Sequence, residues 1–172
     1  VIALHYAGVP CDIKRIADLC KSKNIKLIED NANSPFSSYN TQSTGTFGDL
    51  GIWSFDAMKI ITAGDGGMIY SKDKQNIEKL NKMLYLGWDS SSSEKPVESK
   101  WWEYDVLVPG RRSIMNDIQS TIGLEQLKKS PTFISRRKEI HDTYSEKMSK
   151  IDWLDLPQPI KKGEKTSYYM YH

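Results

Sequence analysis

The feature that most restricts how this chain can fold is its opening alternation of apolar run, amphipathic stretch and apolar run. Val1-Ile-Ala-Leu4 is apolar at every position, which is the pattern of a parallel strand buried on both faces. Asp12 offers an N-cap, and after it Ile13, Ile16, Ala17 and Cys20 recur at helical spacing, giving an amphipathic helix that ends near Asn24. Lys26-Leu-Ile28 is the next strand and delivers Glu29 and Asp30 at its carboxyl end. Strand, helix and strand in this order predict an α/β protein whose sheet is mostly parallel and flanked by helices.

The rest of the chain extends the pattern. Asn31 to Ser38 has loop composition around Pro35, and Gly51-Ile-Trp-Ser-Phe55 reads as a third strand. Lys59 follows it within a turn, then comes the glycine-rich Thr62-Ala-Gly-Asp-Gly-Gly67 and a fourth strand, Met68-Ile-Tyr-Ser71. The connection between these two strands is too short for a helical crossover, so they are expected to run antiparallel. Asp73 caps a helix in which Ile77, Leu80 and Leu84 share a face, and Gly87 ends it. Trp88 to Lys100 reads as a serine-rich surface loop, and Trp101, Trp102 and Tyr104 after it as aromatics buried against a partner. Ile114, Ile118, Ile122 and Leu127 form a further helical stripe. Pro131 is expected to start a long helix carrying Ile140, Tyr144 and Met148, and Trp153 to Pro157 then turns back toward a strand-like end at Ser167–His172.

Bulk properties exclude several classes. A length of 172 residues fits about one domain. The 24 basic residues against 22 acidic ones leave +2, far from the balance of a nucleic-acid or membrane-surface binder. No apolar run reaches the ~18 residues of a membrane span, and no segment resembles a secretory leader, so a reducing cytoplasm is expected. Cys11 and Cys20, nine residues apart, would lie on opposite sides of any shared helix and read as reduced core thiols, neither a disulfide nor a metal pair. The opening in an apolar run and the close at His172 predict a segment of a longer enzyme.

In an open parallel sheet, ligands sit outside the carboxyl ends of the strands, where Asp30 and Lys59 both fall. A loop lysine is ordinarily just solvated, and a strand-terminal carboxylate often only caps the next loop. Framed by a strand and a glycine-rich loop, however, a lysine can be desolvated enough to act as a free amine. The two residues together fit pyridoxal 5'-phosphate, which needs a lysine for its aldehyde and a carboxylate to keep its ring nitrogen protonated. A charge pair at ~4 Å and an effective dielectric of ~20 is worth ~4 kcal/mol, enough to hold a pyridinium protonated near neutrality.

Four ordered strings carry a more specific message. Leu27-Ile-Glu-Asp-Asn-Ala-Asn33, Gly45-Thr-Phe-Gly-Asp-Leu-Gly-Ile-Trp-Ser-Phe55, Lys59-Ile-Ile-Thr-Ala-Gly-Asp-Gly-Gly-Met68 and Met115-Asn-Asp-Ile-Gln-Ser-Thr-Ile-Gly-Leu-Glu-Gln-Leu127 resemble the DegT/DnrJ/StrS family of nucleotide-sugar aminotransferases. His5-Tyr-Ala-Gly-Val-Pro10 with Asp12 is similar to the lead-in to that family's cofactor strand, so the likeness covers nearly the whole chain.

The resemblance implies the large domain of a fold-type I pyridoxal-phosphate enzyme over residues 1–130, with 131–172 forming a linking helix and the start of a small C-terminal domain. It implies that Lys59 holds the cofactor as a Schiff base and Asp30 pairs with the pyridine nitrogen. Ser54 would bond the phosphate, Ala32 would pack under the ring, and Asn33 would take the place of a Gln or His that contacts the ring hydroxyl. In Gly110-Arg-Arg-Ser-Ile-Met115, Arg111 or Arg112 would reach substrate or the neighbouring subunit of a homodimer, whereas Ile114 departs from a polar or basic pattern. The implied reaction moves an amino group from glutamate to a nucleotide-linked keto-sugar. Two alternatives remain open: a sugar dehydrase, in which a His would replace the Schiff-base lysine, and a non-catalytic fragment that serves folding or dimerisation. His5 reads as structural, His141 as lying on a polar helix face, and His172 as without a role.

Overall fold

The computed structural model describes residues 1–88 and 105–172. Most of the predicted loop after Trp88, and Trp101, Trp102 and Tyr104, lie outside the described residues. The chain divides into two compact units, Val1–Lys72 with Asn116–His172, and Asp73–Met115.

In the first unit β1 (Ile2–Leu4) leads through a short 3-10 turn into α1 (Ile13–Ser22) and β2 (Ile28–Asp30). The short strands β3 (Ser38–Tyr39) and β4 (Gln42–Ser43) precede β5 (Leu50–Ser54) and β6 (Gly67–Tyr70). The second unit contains α2 (Lys74–Leu84), after which the chain returns to the first with α3 (Asp117–Met148) and β7 (Glu164–Lys165).

The main sheet has the order β1-β2-β5-β6, parallel from β1 to β5 and antiparallel at β6. Both the parallel core and the expected antiparallel pair are therefore present. Ala3, Ile13, Cys20 and Leu27 form the buried core under this sheet, with Cys11, Ile16, Ala17, Tyr39 and Phe47 packed around them. Ile13 is fully withdrawn from water, which contributes about 1.5–3 kcal/mol. Cys11 and Cys20 are free thiols.

The opening strand corrects the expectation of burial on both faces. Ala3 is buried, but Ile2 and Leu4 are 71% and 44% exposed. Ala3 faces the core residues Ile13 and Cys20 of α1, and Ile2 and Leu4 alternate to the opposite face. The second strand also begins later than Lys26. The Leu27 N–H donates to Asp49 Oδ2 at 2.9 Å instead of to a strand partner, so laddering starts at Ile28 and takes Glu29 and Asp30 into the strand. Asp12 stands at the N-cap of α1, but its side chain makes no cap bond.

A three-stranded antiparallel sheet, β4-β3-β7, was not foreseen. Strands of two residues carry no readable period. No strand follows Lys165, so the expected strand at Ser167–His172 is replaced by an irregular strap.

Pro131 does not start a helix. It lies inside α3, which begins at a capping box: Gln119 N–H donates to Asn116 Oδ1 at 2.9 Å and Asn116 N–H to Gln119 Oε1 at 3.2 Å. Proline suits a first turn and costs a hydrogen bond in a helix interior, which is why the sequence places it at the start, but α3 runs through it. His141 is also more enclosed than expected, half-buried with its ring edge-on to Tyr168 and Tyr171 at 5.3 and 4.9 Å. Burial pushes its pKa below the ordinary histidine value. His172 packs edge-on to Tyr6 at 5.6 Å.

In the second unit the Asp73 side chain accepts from Gln75 N–H at 2.9 Å and caps α2 as expected. Gly87, at φ +78°, ends the turn after it by returning its N–H to the Lys82 carbonyl at 2.8 Å.

Candidate active site

β2 alternates two carboxylates to opposite faces of the sheet. Asp30 pairs in register with Ile52, so it shares a face with Ile52 and Ser54. Its Oδ1 accepts the Ala32 N–H at 2.9 Å, a local turn that directs the chain from the strand end into Ala32 and Asn33. Glu29 points the other way and is completely buried. Its Oε2 accepts from His5 Nε2 at 3.1 Å and from Gly45 N–H at 2.8 Å, while Oε1 accepts from Phe47 and Gly48 N–H, both at 2.7 Å.

That network fixes the His5 tautomer. Nδ1 accepts from Cys11 N–H at 3.2 Å, which leaves Nε2 to carry the proton toward Glu29. Burial alone would raise the Glu29 pKa, but the bonds from His5, Gly48, Gly45 and Phe47 outweigh it and hold the carboxylate below its ordinary range. His5 is therefore structural, as expected. Glu29, read from the sequence only as a strand-end carboxylate, is the hub that ties β1, β2 and the loop before β5 together.

Lys59 sits in a turn just past β5, its N–H donating to the Asp56 carbonyl at 3.0 Å. The buried residues Ile60, Ile61 and Ala63 anchor the backbone after it, and Ala63 N–H returns to the Phe55 carbonyl at 2.8 Å. The half-buried Lys59 side chain is thus carried on a fixed base. Its Nζ donates to Asn33 Oδ1 at 3.4 Å, at the outer edge of hydrogen-bond range. The structure thereby brings together the two segments predicted to share a ligand, residues 30–33 and the Lys59 turn. Ser54, the last residue of β5, accepts the Asp56 N–H at 3.3 Å on its Oγ.

The C-terminal strap reaches the same place. Ser167 Oγ donates to the Asn33 carbonyl at 2.8 Å, and the Tyr169 ring centre lies 5.5 Å from Lys59 Nζ. Sequence reasoning missed this contact. A residue 110 positions downstream leaves no spacing signal, and the strap reads from the sequence as strand-like. A groove of about 470 Å³ opens elsewhere, beside α1, lined by residues that include Lys14, Lys21, Phe47, Asp49 and Lys72. It contains none of the predicted site residues.

Arg111 and Arg112 belong to the second unit, and both are exposed. Arg111 is held through its backbone, N–H to the Met83 carbonyl at 2.8 Å and carbonyl from Leu86 N–H at 3.2 Å. Arg112 bridges Tyr85.

The model of the DegT/DnrJ/EryC1/StrS aminotransferase family matches residues 1–172. The chain belongs to this family. A dTDP-4-dehydro-2,3,6-trideoxy-D-glucose 4-aminotransferase of Saccharopolyspora spinosa is 40% identical over 99% of this chain and 45% of its own length. A GDP-perosamine synthase of Escherichia coli O157:H7 is 35% identical over 88% of this chain and 39% of its own. Among solved structures, the aminotransferase TlmJ from Streptoalloteichus hindustanus superposes with a TM-score of 0.91 at 42% identity, covering 99% of this chain and 44% of that one. This member of the DegT/DnrJ/EryC1/StrS family therefore spans less than half the length of the relatives it matches. The fold is the expected α/β arrangement of fold-type I enzymes, with a mostly parallel sheet and flanking helices. Among the described residues no helix is long and apolar enough to cross a membrane.

Proposed function

We propose that this chain is the lysine-bearing part of a pyridoxal-phosphate-dependent aminotransferase that takes an amino group from glutamate and delivers it to a nucleotide-linked keto-sugar. The observation that carries this reading is the half-buried Lys59 amine meeting Asn33 just past the strand end that bears Asp30. The donor set fits the cofactor: an amine for its aldehyde, a carboxylate for its ring nitrogen and a hydroxyl for its phosphate, all at the carboxyl ends of adjacent parallel strands. Once bound, pyridoxal phosphate supplies the electron sink for transamination.

Each residue then has a defined task. Asp30 engages one carboxylate oxygen on Ala32 N–H and offers the other to the pyridine nitrogen. Ser54 Oγ bonds the phosphate, and the small side chain of Ala32 lets the ring lie close. Asn33, whose Oδ1 meets Lys59, would contact the ring hydroxyl through its side-chain amide. Lys59 Nζ, when free, carries the proton that leaves the amino-bearing carbon. Arg111 and Arg112, exposed in their own unit, contact substrate or the neighbouring subunit of a homodimer, and residues 131–172 lead toward a second domain. The free thiols of Cys11 and Cys20 suit a cytoplasmic enzyme. The presence of Lys59, where a sugar dehydrase would carry His, favours the aminotransferase over the dehydrase.

The test is absorbance. Added pyridoxal phosphate is expected to give a yellow band with the unmodified protein that Lys59→Ala abolishes. An unchanged band in Lys59→Ala would refute the assignment.

A further inference from the structure

We infer that Tyr169 is a positioning residue for Lys59, an aromatic rest that holds the lysine amine against Asn33 whenever the amine is not covalently engaged. The inference rests on the reading of Lys59 as the cofactor-bearing lysine and extends it to a residue far away in the sequence.

Three independent observations converge on it. The Tyr169 ring centre is 5.5 Å from Lys59 Nζ, inside the ~6 Å range over which a cation is attracted to the negative face of an aromatic ring. Asn33 Oδ1 meets the same nitrogen at 3.4 Å, so the ammonium meets both a ring and an amide oxygen.

The second observation is backbone strain directed at this contact. Tyr168 has φ +52°, a left-handed conformation that a bulky side chain adopts only when its surroundings impose it. The surroundings here are explicit. Arg137 Nη1 donates to the Tyr168 and Tyr169 carbonyls at 3.3 and 3.0 Å, clamping the strap at and just after the kink.

The third is the anchoring of the strap just before Tyr169 and of the Tyr169 ring itself. Ser167 donates its N–H to Ser37 Oγ at 3.0 Å and its Oγ to the Asn33 carbonyl at 2.8 Å, which ties the strap to the segment that holds Lys59. Tyr169 Oη reaches the Met58 carbonyl at 3.4 Å, a long contact that sets the ring beside the lysine's own turn.

An amine held in this way meets a small acylating reagent less often than a free one. Trace labelling of the whole chain with acetic anhydride, read lysine by lysine by mass spectrometry with the exposed Lys150 as internal reference, measures this without any cofactor. Tyr169→Leu, which removes the ring, is expected to raise Lys59 labelling about two- to fivefold, the size of such a contact at a partly exposed site. Tyr169→Phe keeps the ring and should retain the unmodified level. Arg137→Met, which releases the clamp and leaves the ring in place, should raise it as well.

Unchanged labelling in Tyr169→Leu with a native circular dichroism spectrum, or equal increases in the Leu and Phe variants, would overturn the inference. Should Tyr169→Leu fail to fold, Arg137→Met decides, and unchanged Lys59 labelling in it overturns the inference equally. A protein that labels as expected but fixes no pyridoxal phosphate would sink the cofactor reading and leave the Tyr169 contact standing, so the two failures are distinguishable.

Discussion

Replacing Glu29 by Gln is expected to destabilise the first unit severely, and the hydrogen-bond geometry gives the size. Four donors converge on the carboxylate: His5 Nε2 and Gly45 N–H on Oε2, Phe47 and Gly48 N–H on Oε1. Glutamine retains one oxygen and sets an NH₂ group where the other stood, so either flip leaves two donors facing a donor. Each buried donor left unsatisfied costs about 1–3 kcal/mol, so the two together give roughly 2–6 kcal/mol. Against a native stability of about 5–15 kcal/mol, that is a large share. With a urea slope of about 2 kcal/mol/M, the unfolding midpoint should fall by roughly 1–3 M.

The same carboxylate makes stability depend on acid. Its folded-state pKa lies below its unfolded value, because the bonds from His5, Gly48, Gly45 and Phe47 outweigh burial. Its stabilisation is therefore fully present above the unfolded carboxylate pKa and is lost as pH falls through the folded value. Glu29→Gln should flatten that part of the profile. A midpoint shift under about 0.5 M, equivalent to about 1 kcal/mol, with the acid dependence intact, would refute the placing of Glu29 at the centre of this network.

Two further substitutions test the frame around the site. Pro131→Ala restores a backbone N–H inside α3 at an exposed position and should raise Tm by several degrees, since proline in a helix interior costs up to about 3 kcal/mol; an unchanged or lower Tm would show that α3 is broken there. Gly51→Ala should cost about 1–3 kcal/mol in urea unfolding, because its Cβ would collide with the backbone of Gly45, which the strand pairing cannot move away; a neutral result would contradict the close approach of that loop to β5.

The sequence made some of this structure legible and hid the rest for physical reasons. β1, α1, β5 and β6 were readable because each has a contiguous signal of apolar runs or helical spacing, and the short link from Phe55 to Met68 fixed the antiparallel pair. β3 and β4 were not, because strands of two residues carry no readable period, and β7 was not, because it pairs with β3 across more than 120 residues, as in Ser38 with Lys165. The meeting of Lys59 with the segment after Asp30 followed from strand-end placement and family resemblance. The role of Glu29 was not legible because alternation along β2 sends neighbouring carboxylates to opposite faces, and the sequence does not show which face is buried. Tyr169 was invisible because a kink at Tyr168 aims it, and nothing local in Ser167–His172 encodes that kink.

The most direct test of the central claim is to mix the protein with pyridoxal phosphate, reduce with borohydride and map the added mass by peptide sequencing. The account predicts a single dominant adduct on Lys59 that falls sharply in Asp30→Ala. Adducts spread over the exposed lysines with Lys59 unmodified would contradict it.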